Sequence, residues 1–292
     1  MKVIFIVKPT PVKRLEKLRD TLDSIFKDQE DSFFIYESLR KGHAVTLTQK
    51  AVANKADVVV ACGGDGTINE VARELVGTDI KLGIIPMGSG NGIARHFKIP
   101  FDMTQAIGLI KKNQYLRMDV GMVNGHYFFG NMGCALESHF IRHYQKNGHH
   151  GIRGYIVAFL QAIIGFKYQK IILEIDKKKI SVSPLVFLVS NTNQHGYDFT
   201  FTPHAKIDDG QLDLFWTERL NRIKMGSFFI NILRNKNLKH QEFNLLQSSS
   251  LKISLAEDEK FIAQVDGELL DISEKTLCIS LIPKTLKVIV PE

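Results

Sequence analysis

The chain has 292 residues, with 38 Lys and Arg against 31 Asp and Glu, a net charge of +7 with histidine neutral. That length suits one large domain or two ordinary ones and buries about three quarters of the unfolded surface. At 44% hydrophobic and 24% charged residues, the composition excludes disorder, collagen and disulfide scaffolds.

The opening MKVIFIVKPT holds an apolar run of five residues before Lys8, shorter than a signal-peptide core and shaped like a buried first strand, so export is not expected. Cysteine usage agrees. Cys62, Cys134 and Cys278 are odd in number and form no C-x-x-C pair, which argues against a disulfide framework or a zinc site and suits a reducing cytosol.

Short β-branched runs then alternate with helical patterns: VIFIV (Val3 to Val7), LEKLRDTLDSIF, FFIY, a helix around Ala44 to Lys55, and VVVA. The alternation predicts a parallel sheet with crossover helices, whose ligands sit beyond the carboxyl ends of the strands. From about Arg117 the rhythm changes to many short strands broken by turns: DVGMVNGHYFFGN, KIILEIDKKKISV, LVFLVSN, QLDLFW, SLKISLA, FIAQVDGELLDI and TLCISLI. Val123 to His126 and Asp176 to Lys179 read as hairpin turns. A mostly antiparallel sandwich or barrel is expected, interrupted by helical patterns near Leu136 to Gln145, Tyr155 to Phe166 and Arg222 to Leu233. The boundary is placed near residue 118, giving an α/β domain over 1–118 and a β-rich domain over 119–292. The longest apolar stretch, YIVAFLQAIIGF, is interrupted by Gln161 and falls short of the roughly 17 to 25 residues that span a bilayer.

Two glycine clusters carry the chemistry. In ADVVVACGGDGTINEVARELV a buried strand runs into Gly63, Gly64, Asp65, Gly66 and Thr67 and then a helix. Glycines at such a turn let the backbone approach phosphate, and the N–H groups of a helix start point at the anion. An aspartate among phosphate-facing glycines implies a divalent cation, so Asp65 points to magnesium. The spacing is neither that of a P-loop nor of a dinucleotide fingerprint, and a lone turn of this kind is also common as plain loop chemistry. LGIIPMGSGNGIARHF repeats the pattern through Pro86, Gly88, Ser89, Gly90, Asn91 and Gly92 into a helix start with Arg95. Two such loops at successive strand ends face one crevice and make a nucleotide pocket.

GGDGTINEV with the downstream P-x-G-S-G-N resembles the catalytic domain shared by diacylglycerol kinases, sphingosine and ceramide kinases, and related soluble bacterial lipid kinases. The likeness continues through RMDVGMVNG, GIRGYIVAFLQAIIGFKYQKIILEID, PHAKIDDGQLDLF (Pro203 to Phe215) and VDGELL (Val265 to Leu270), nearly the whole chain. It implies an α/β nucleotide-binding domain followed by a mostly antiparallel β-sandwich domain that holds lipid and metal. It also implies ATP and Mg2+ as cofactors. The family's phosphate contacts map onto Gly63, Gly64, Asp65, Gly66, Thr67, Asn69 and Glu70, with Gly88, Ser89 and Asn91 from the second loop. Ser38, in the S-x-x-x-G-x-A segment to Ala44, stands where the family usually has Thr.

Departures occur at two places. The family opens with Asn-Pro and a glycine soon after, whereas this chain has Lys8, Pro9, Thr10 and Pro11. The first contact thus maps to Pro9 and Thr10, with Lys8 able to supply a cation. The second loop has Gly92 where bacterial diacylglycerol kinases commonly have Asp, a form nearer the sphingosine kinases. The resemblance further implies magnesium on Asp209 with backbone carbonyls of Lys206 and Gln211, supported by Asp119 through hydrogen bonds. It makes Glu268 the proton acceptor, with Asp266 beside it and Asp65 completing the catalytic carboxylates. Judged alone, Asp266-Gly267-Glu268 reads as a simple hairpin; beside the two glycine loops and Asp208-Asp209-Gly210, the catalytic reading is preferred. The early Gly-Asp turn and the late acidic pair are expected to meet on one cleft.

Ser138 to Leu173 contains no Asp or Glu. It carries Arg142, Lys146, Arg153, Lys167 and Lys170, with His139, His143, His149 and His150, around the apolar Tyr155 to Phe166. A basic surface beside apolar residues suits anionic headgroups, although a core-packed helix with solvated flanks gives the same pattern. Adjacent histidines without acidic or cysteine partners do not make a zinc site. Nucleic acid is not an expected partner, since no recognised binding motif is present and the aromatics follow strand cores. The expectation is an ATP-dependent lipid kinase at the cytoplasmic face of the membrane, acting on a diacylglycerol-like or sphingoid acceptor, with a homodimer among the family's habits. The alternatives are an NAD kinase, which shares GGDGT, and a catalytically silent nucleotide or lipid sensor.

Overall fold

The computed structural model describes residues 1–27, 31–88, 90–147, 152–194, 200–217, 219–221, 224–225, 228, 243–256, 261–270, 272 and 274–292, with 152, 153 and 155 described by backbone alone. The chain forms two compact units, Met1–Val120 with Pro283–Glu292, and Gly121–Ile282.

In the first unit, strands β1 (Lys2–Val7), β2 (Ser32–Glu37), β3 (Val58–Gly63) and β4 (Lys81–Pro86) alternate with helices α1 (Val12–Ile25), α2 (His43–Ala53) and α3 (Asp65–Leu75). Helices α4 (Gly92–His96) and α5 (Met103–Lys112) then lead into β5 (Tyr115–Val123). The strands pair in parallel in the order β2-β1-β3-β4. Val3 to Val7 and Val58 to Cys62 are fully buried, as continuous β-branched runs should be when helices cover both faces of a parallel sheet. The helices turn apolar stripes inward: Ile68, Val71, Ala72 and Leu75 on α3, and Met103, Ala106, Ile107 and Ile110 on α5. Asp102 starts α5 by accepting from the Gln105 N–H at 3.0 Å, which satisfies one unpaired donor of the first turn.

The last strand, β16 (Thr276–Ile289), gives its final residues to this same sheet. Lys287 and Val288 pair in parallel with Lys81 and Leu82 of β4. Leu286 and Val288 are fully buried, and the Lys287 ammonium bonds Asp79. Residues 283–292, grouped above with the second domain, therefore pack in the first unit.

The second unit is a sandwich. One sheet runs β12 (Phe243–Ser248), β11 (Leu212–Thr217), β10 (Phe187–Ser190), β7 (Asn131–Gly133), β14 (Ala263–Val265), β15 (Glu268–Leu270), antiparallel throughout. Facing it lie β8 (Ile171–Ile175), β9 (Lys178–Val182), β13 (Ser250–Leu255) and the start of β16, with β6 (His126–Phe128) against the end of β5. Period-two alternation sends Phe187, Val189, Leu212, Leu214 and Trp216 into the layer between the sheets. Leu188 and Phe215 point the other way, onto α6 (Leu136–Asn147) and α7 (Ile152–Gly165). Parallel α/β sheet followed by antiparallel sandwich is the architecture expected above. The helical pattern from Arg222 to Leu233 lies largely outside the described residues.

Candidate functional site

Parallel pairing puts the carboxyl ends of β1 to β4 on one edge, and backbone bonds knit that edge together. The Lys8 N–H donates to Cys62 O at 3.1 Å, the Ser38 N–H to Val7 O at 2.8 Å, and the Met87 N–H to Gly63 O at 2.7 Å. Beyond it the two glycine loops press backbone against backbone. A Cβ on Gly88 would lie 2.5 Å from the Gly64 Cα, and one on Gly64 3.1 Å from the Gly88 Cα. A side chain at Gly88 would force the backbone apart, and one at Gly64 would be tight. Asn91 shapes the second loop: its Oδ1 accepts from the Gly88 N–H and its Nδ2 donates to Gly88 O, both at 2.9 Å. Asp65, at the first turn of α3, accepts from the Ile93 N–H at 3.3 Å and so crosses from the first loop to the second. The structure brings together Gly63, Gly64, Asp65, Gly66, Thr67, Gly88 and Asn91. Ser89 lies outside the described residues.

Around this centre the remaining first-unit candidates take different positions. Pro9 and Thr10 follow β1 directly and precede α1. Lys8 is half-buried there, and burial, with the neighbouring Arg14 guanidinium, holds its ammonium below the ordinary lysine pKa. Ser38 is buried at the end of β2 and donates to Arg40 O at 3.2 Å. Glu70, mapped above as a phosphate contact, accepts from the Gly42 and Ala44 N–H groups at 2.8 and 3.1 Å. A carboxylate on the donors of a helix start is a stabilising cap, so here Glu70 holds the Ser38 to Ala44 segment in place. Asn69 sits half-exposed on α3. Asp119, mapped above as a support of the metal loop, is buried in the first unit and accepts from the Lys284 N–H at 2.7 Å.

In the second unit, Val265 pairs with Glu268 across a two-residue turn. Asp266 and Gly267 both have positive φ, 48° and 83°, the conformation that makes Asp-Gly the favoured tight hairpin. The hairpin alternative is thus the local structure, and it also aims the acids. Asp266 Oδ1 accepts from the Gly130 and Asn131 N–H groups at 2.8 and 3.0 Å, and Oδ2 from Phe129 at 2.8 Å. Asp266 ties the hairpin to the segment before β7. Glu268 opens β15, half-exposed.

The Asp209 loop precedes β11. Asp209 Oδ1 accepts from the Gln211 N–H at 3.0 Å, turning the chain at Gly210. Four residues on, Asp213 was not singled out by sequence, although it stands in the same acidic run. It is buried; Oδ1 accepts from Gln247 Nε2 at 3.2 Å, while Oδ2 has no hydrogen-bond partner among the described residues. Burial raises its pKa, with the nearby Asp209 charge adding to the rise and the Gln247 bond and His204 opposing it. No cluster of three His, Cys, Asp or Glu side chains suited to a metal occurs among the described residues. One carboxylate with backbone carbonyls is instead a set that magnesium, which keeps several waters, accepts. An unpaired buried carboxylate oxygen in the same run fits a cation there.

Glu137 was also missed. It is partly buried in the first turn of α6, with Oε1 accepting from the N–H groups of Cys134, Ala135 and Phe187 at 3.0, 3.1 and 3.2 Å. Oε2 has no partner among the described residues. Burial pushes its pKa to about 8 against the pull of those donors.

Three comparisons bear on this arrangement. Residues 2–123 match the family model described as the diacylglycerol kinase catalytic domain, and residues 142–290 that of the YegS C-terminal NAD kinase beta sandwich-like domain. A diacylglycerol kinase of Staphylococcus saprophyticus is 29% identical over 270 residues, 90% of this chain and 87% of the relative. One from Staphylococcus haemolyticus is 28% identical over 270 residues, 90% and 81% respectively. A crystal structure titled as a diacylglycerol kinase from Bacillus anthracis str. Sterne has the same fold, with a TM-score of 0.75 at 21% identity over 99% of this chain and 97% of that one.

Proposed function

Because the chain belongs to the diacylglycerol kinase catalytic-domain family, we propose that it transfers the γ-phosphoryl group of ATP to the hydroxyl of a membrane lipid, diacylglycerol-like or sphingoid. The observation that carries this reading is the mutual fit of the two glycine loops, with Gly88 too close to the Gly64 backbone for a side chain. Backbone N–H groups at the start of α3 then face phosphate oxygens.

Phosphoryl transfer needs alignment, neutralisation of phosphate charge, and a base at the attacking hydroxyl. Gly63 to Thr67, Gly88 and Asn91 orient the nucleotide phosphates. Pro9, Thr10 and Ser38 border them, and the half-buried Lys8 adds a positive charge where the family has Asn. Asp65 in the first unit, and in the second Asp209 with the Lys206 and Gln211 carbonyls, are the groups that would hold magnesium, which when bound would neutralise phosphate charge. Glu268 accepts the proton of the lipid hydroxyl, on a hairpin fixed by Asp266. On this reading the protein works in the cytoplasm, peripherally at the inner membrane face.

The test is incubation of the purified chain with radiolabelled ATP and magnesium, using dispersed dioleoylglycerol, sphingosine or NAD as separate acceptors. Label in a lipid-phase phosphate is the expected result. Label in NADP would replace the reading with a dinucleotide kinase. ATP binding without transfer to any acceptor would make the chain a sensor.

A further inference from the structure

We propose that Gln264 is a positioning residue for the transfer reaction: its buried amide clamps the turn before Glu268 onto Asn131 and so holds the proton acceptor at the lipid hydroxyl. The step rests on the lipid kinase reading, in which Glu268 is the base. Gln264 occupies the middle of β14 and is only 3% exposed, whereas glutamine is mostly a surface residue. A buried amide is costly unless each end finds a partner. Both ends do. Its Oε1 accepts from the Gly267 N–H at 2.8 Å, and its Nε2 donates to Asn131 Oδ1 at 2.9 Å.

These two bonds close a circuit around the turn. The Asp266 N–H donates to Asn131 O at 2.9 Å, and Asp266 Oδ1 accepts from the Asn131 N–H at 3.0 Å. Asn131 is thus tied to the hairpin through its side chain, its N–H and its carbonyl. The bond that closes a tight turn runs between its first and fourth residues, here Val265 and Glu268, and leaves the Gly267 N–H out. Gly267, at φ 83°, is also the residue of the turn with the widest backbone freedom. Gln264 takes up that N–H one peptide before the base. From the other side, Gln145 Nε2 of α6 donates to Gly267 O at 3.4 Å, a long bond made at the surface that contributes less.

Gln264 acts through the backbone. Val265 pairs with Glu268 and Gln264 with Leu269; opposed residues share a face and successive ones alternate, so Gln264 and Glu268 leave the ladder on opposite faces. What the amide controls is where the turn places Glu268, and a displacement of about 1 Å at a reacting group costs on the order of a hundredfold in rate. Its part differs from that of Asp266. Asp266 ties the hairpin to the segment before β7, whereas Gln264 fixes the turn within the hairpin.

A double-mutant cycle on the full chain tests the assignment, with dioleoylglycerol in detergent micelles as acceptor. Gln264→Met keeps the volume and removes both bonds; kcat is expected to fall about 10- to 100-fold with the KM for ATP and for lipid unchanged. In the Glu268→Gln background the same change should cost less than about twofold, because Gln264 then positions a group that takes no proton. Gln264→Glu keeps the acceptor for Gly267, and Asn131 can turn its amide to donate in return, so kcat should stay within about threefold of the parent. Should the Met variant not fold, Gln264→Asn, polar but too short to reach both partners, takes its place in the cycle. Equal losses in the two backgrounds would make the residue structural only and overturn the proposal, as would parental kcat in the folded Met variant. Hydrogen exchange separates the clamp from the kinase reading: the Gly267 N–H should exchange at least about tenfold faster in Gln264→Met. If the parent phosphorylates no lipid but Gly267 loses protection, the kinase reading fails and the clamp stands; unchanged exchange at Gly267 would overturn the clamp itself.

Discussion

Asp266 and Glu268 are two residues apart on one hairpin, yet they should fail differently when altered. Asp266 takes three backbone N–H groups on its two oxygens. Asp266→Asn replaces one acceptor with a donor facing a donor, so stability should fall by about 1–3 kcal/mol, read from urea unfolding. Glu268→Gln should leave unfolding unchanged and lower kcat at least about 100-fold, the contribution of a general base, measured by steady-state transfer to lipid. Glu137 makes a pH prediction. Its carboxyl titrates near 8 in the fold against an ordinary value of 4.5, so between those pH values the folded state binds more protons than the unfolded one. Stability therefore declines as pH rises through that window, with a slope of at most about 1.4 kcal/mol per pH unit. Glu137→Gln keeps an acceptor for the three N–H groups and should flatten that decline. Urea midpoints of both proteins from acidic to alkaline pH decide it, and equal slopes would remove Glu137 as the cause.

At the scale of elements, the glycine loops act as one unit because their backbones touch. Gly88→Ala puts a methyl 2.5 Å from the Gly64 Cα, where only backbone can move. The loops should separate and the KM for ATP rise on the order of tenfold, whereas Gly108→Ala, with nothing within 4 Å of its Cβ, should leave KM unchanged. The elements that were legible in sequence have local causes. VIFIV and VVVAC are continuous apolar runs, and the Asn124-Gly125 and Asp176-Lys177 turns adopt the positive φ that hairpins of this kind require. Helix α5 was equally legible, with an Asp cap and apolar residues at helical spacing, but was passed over. Strand β12 was not legible, because Leu245 and Leu246 are both exposed and break the alternation. Among site residues, the glycines and Asp65 announce themselves by composition. The burial of Glu137 does not: it arises from packing against Gly133 and Phe187, and ALESHF alone reads as an amphipathic turn. Likewise, no local pattern says that Glu70 caps a neighbouring helix.

At the scale of the whole molecule, β16 is the feature a linear reading could not find. TLCISLI reads as a second-domain strand, which its first half is, while KVIV looks like its continuation but pairs with Lys81 and Leu82 of β4. A fragment of residues 1–120 should then expose the β4 edge and lose the buried Leu286 and Val288. It should unfold at lower urea than a chimera in which residues 283–292 are joined to 1–120 by a flexible linker. Equal midpoints would show that the final strand adds nothing to the first unit. During synthesis the ribosome extrudes the amino end first, so four strands of that sheet emerge early and their outer neighbour comes last. Until β16 has emerged, the nascent sheet keeps an unpaired β4 flank, the kind of open edge at which strands of other chains can add.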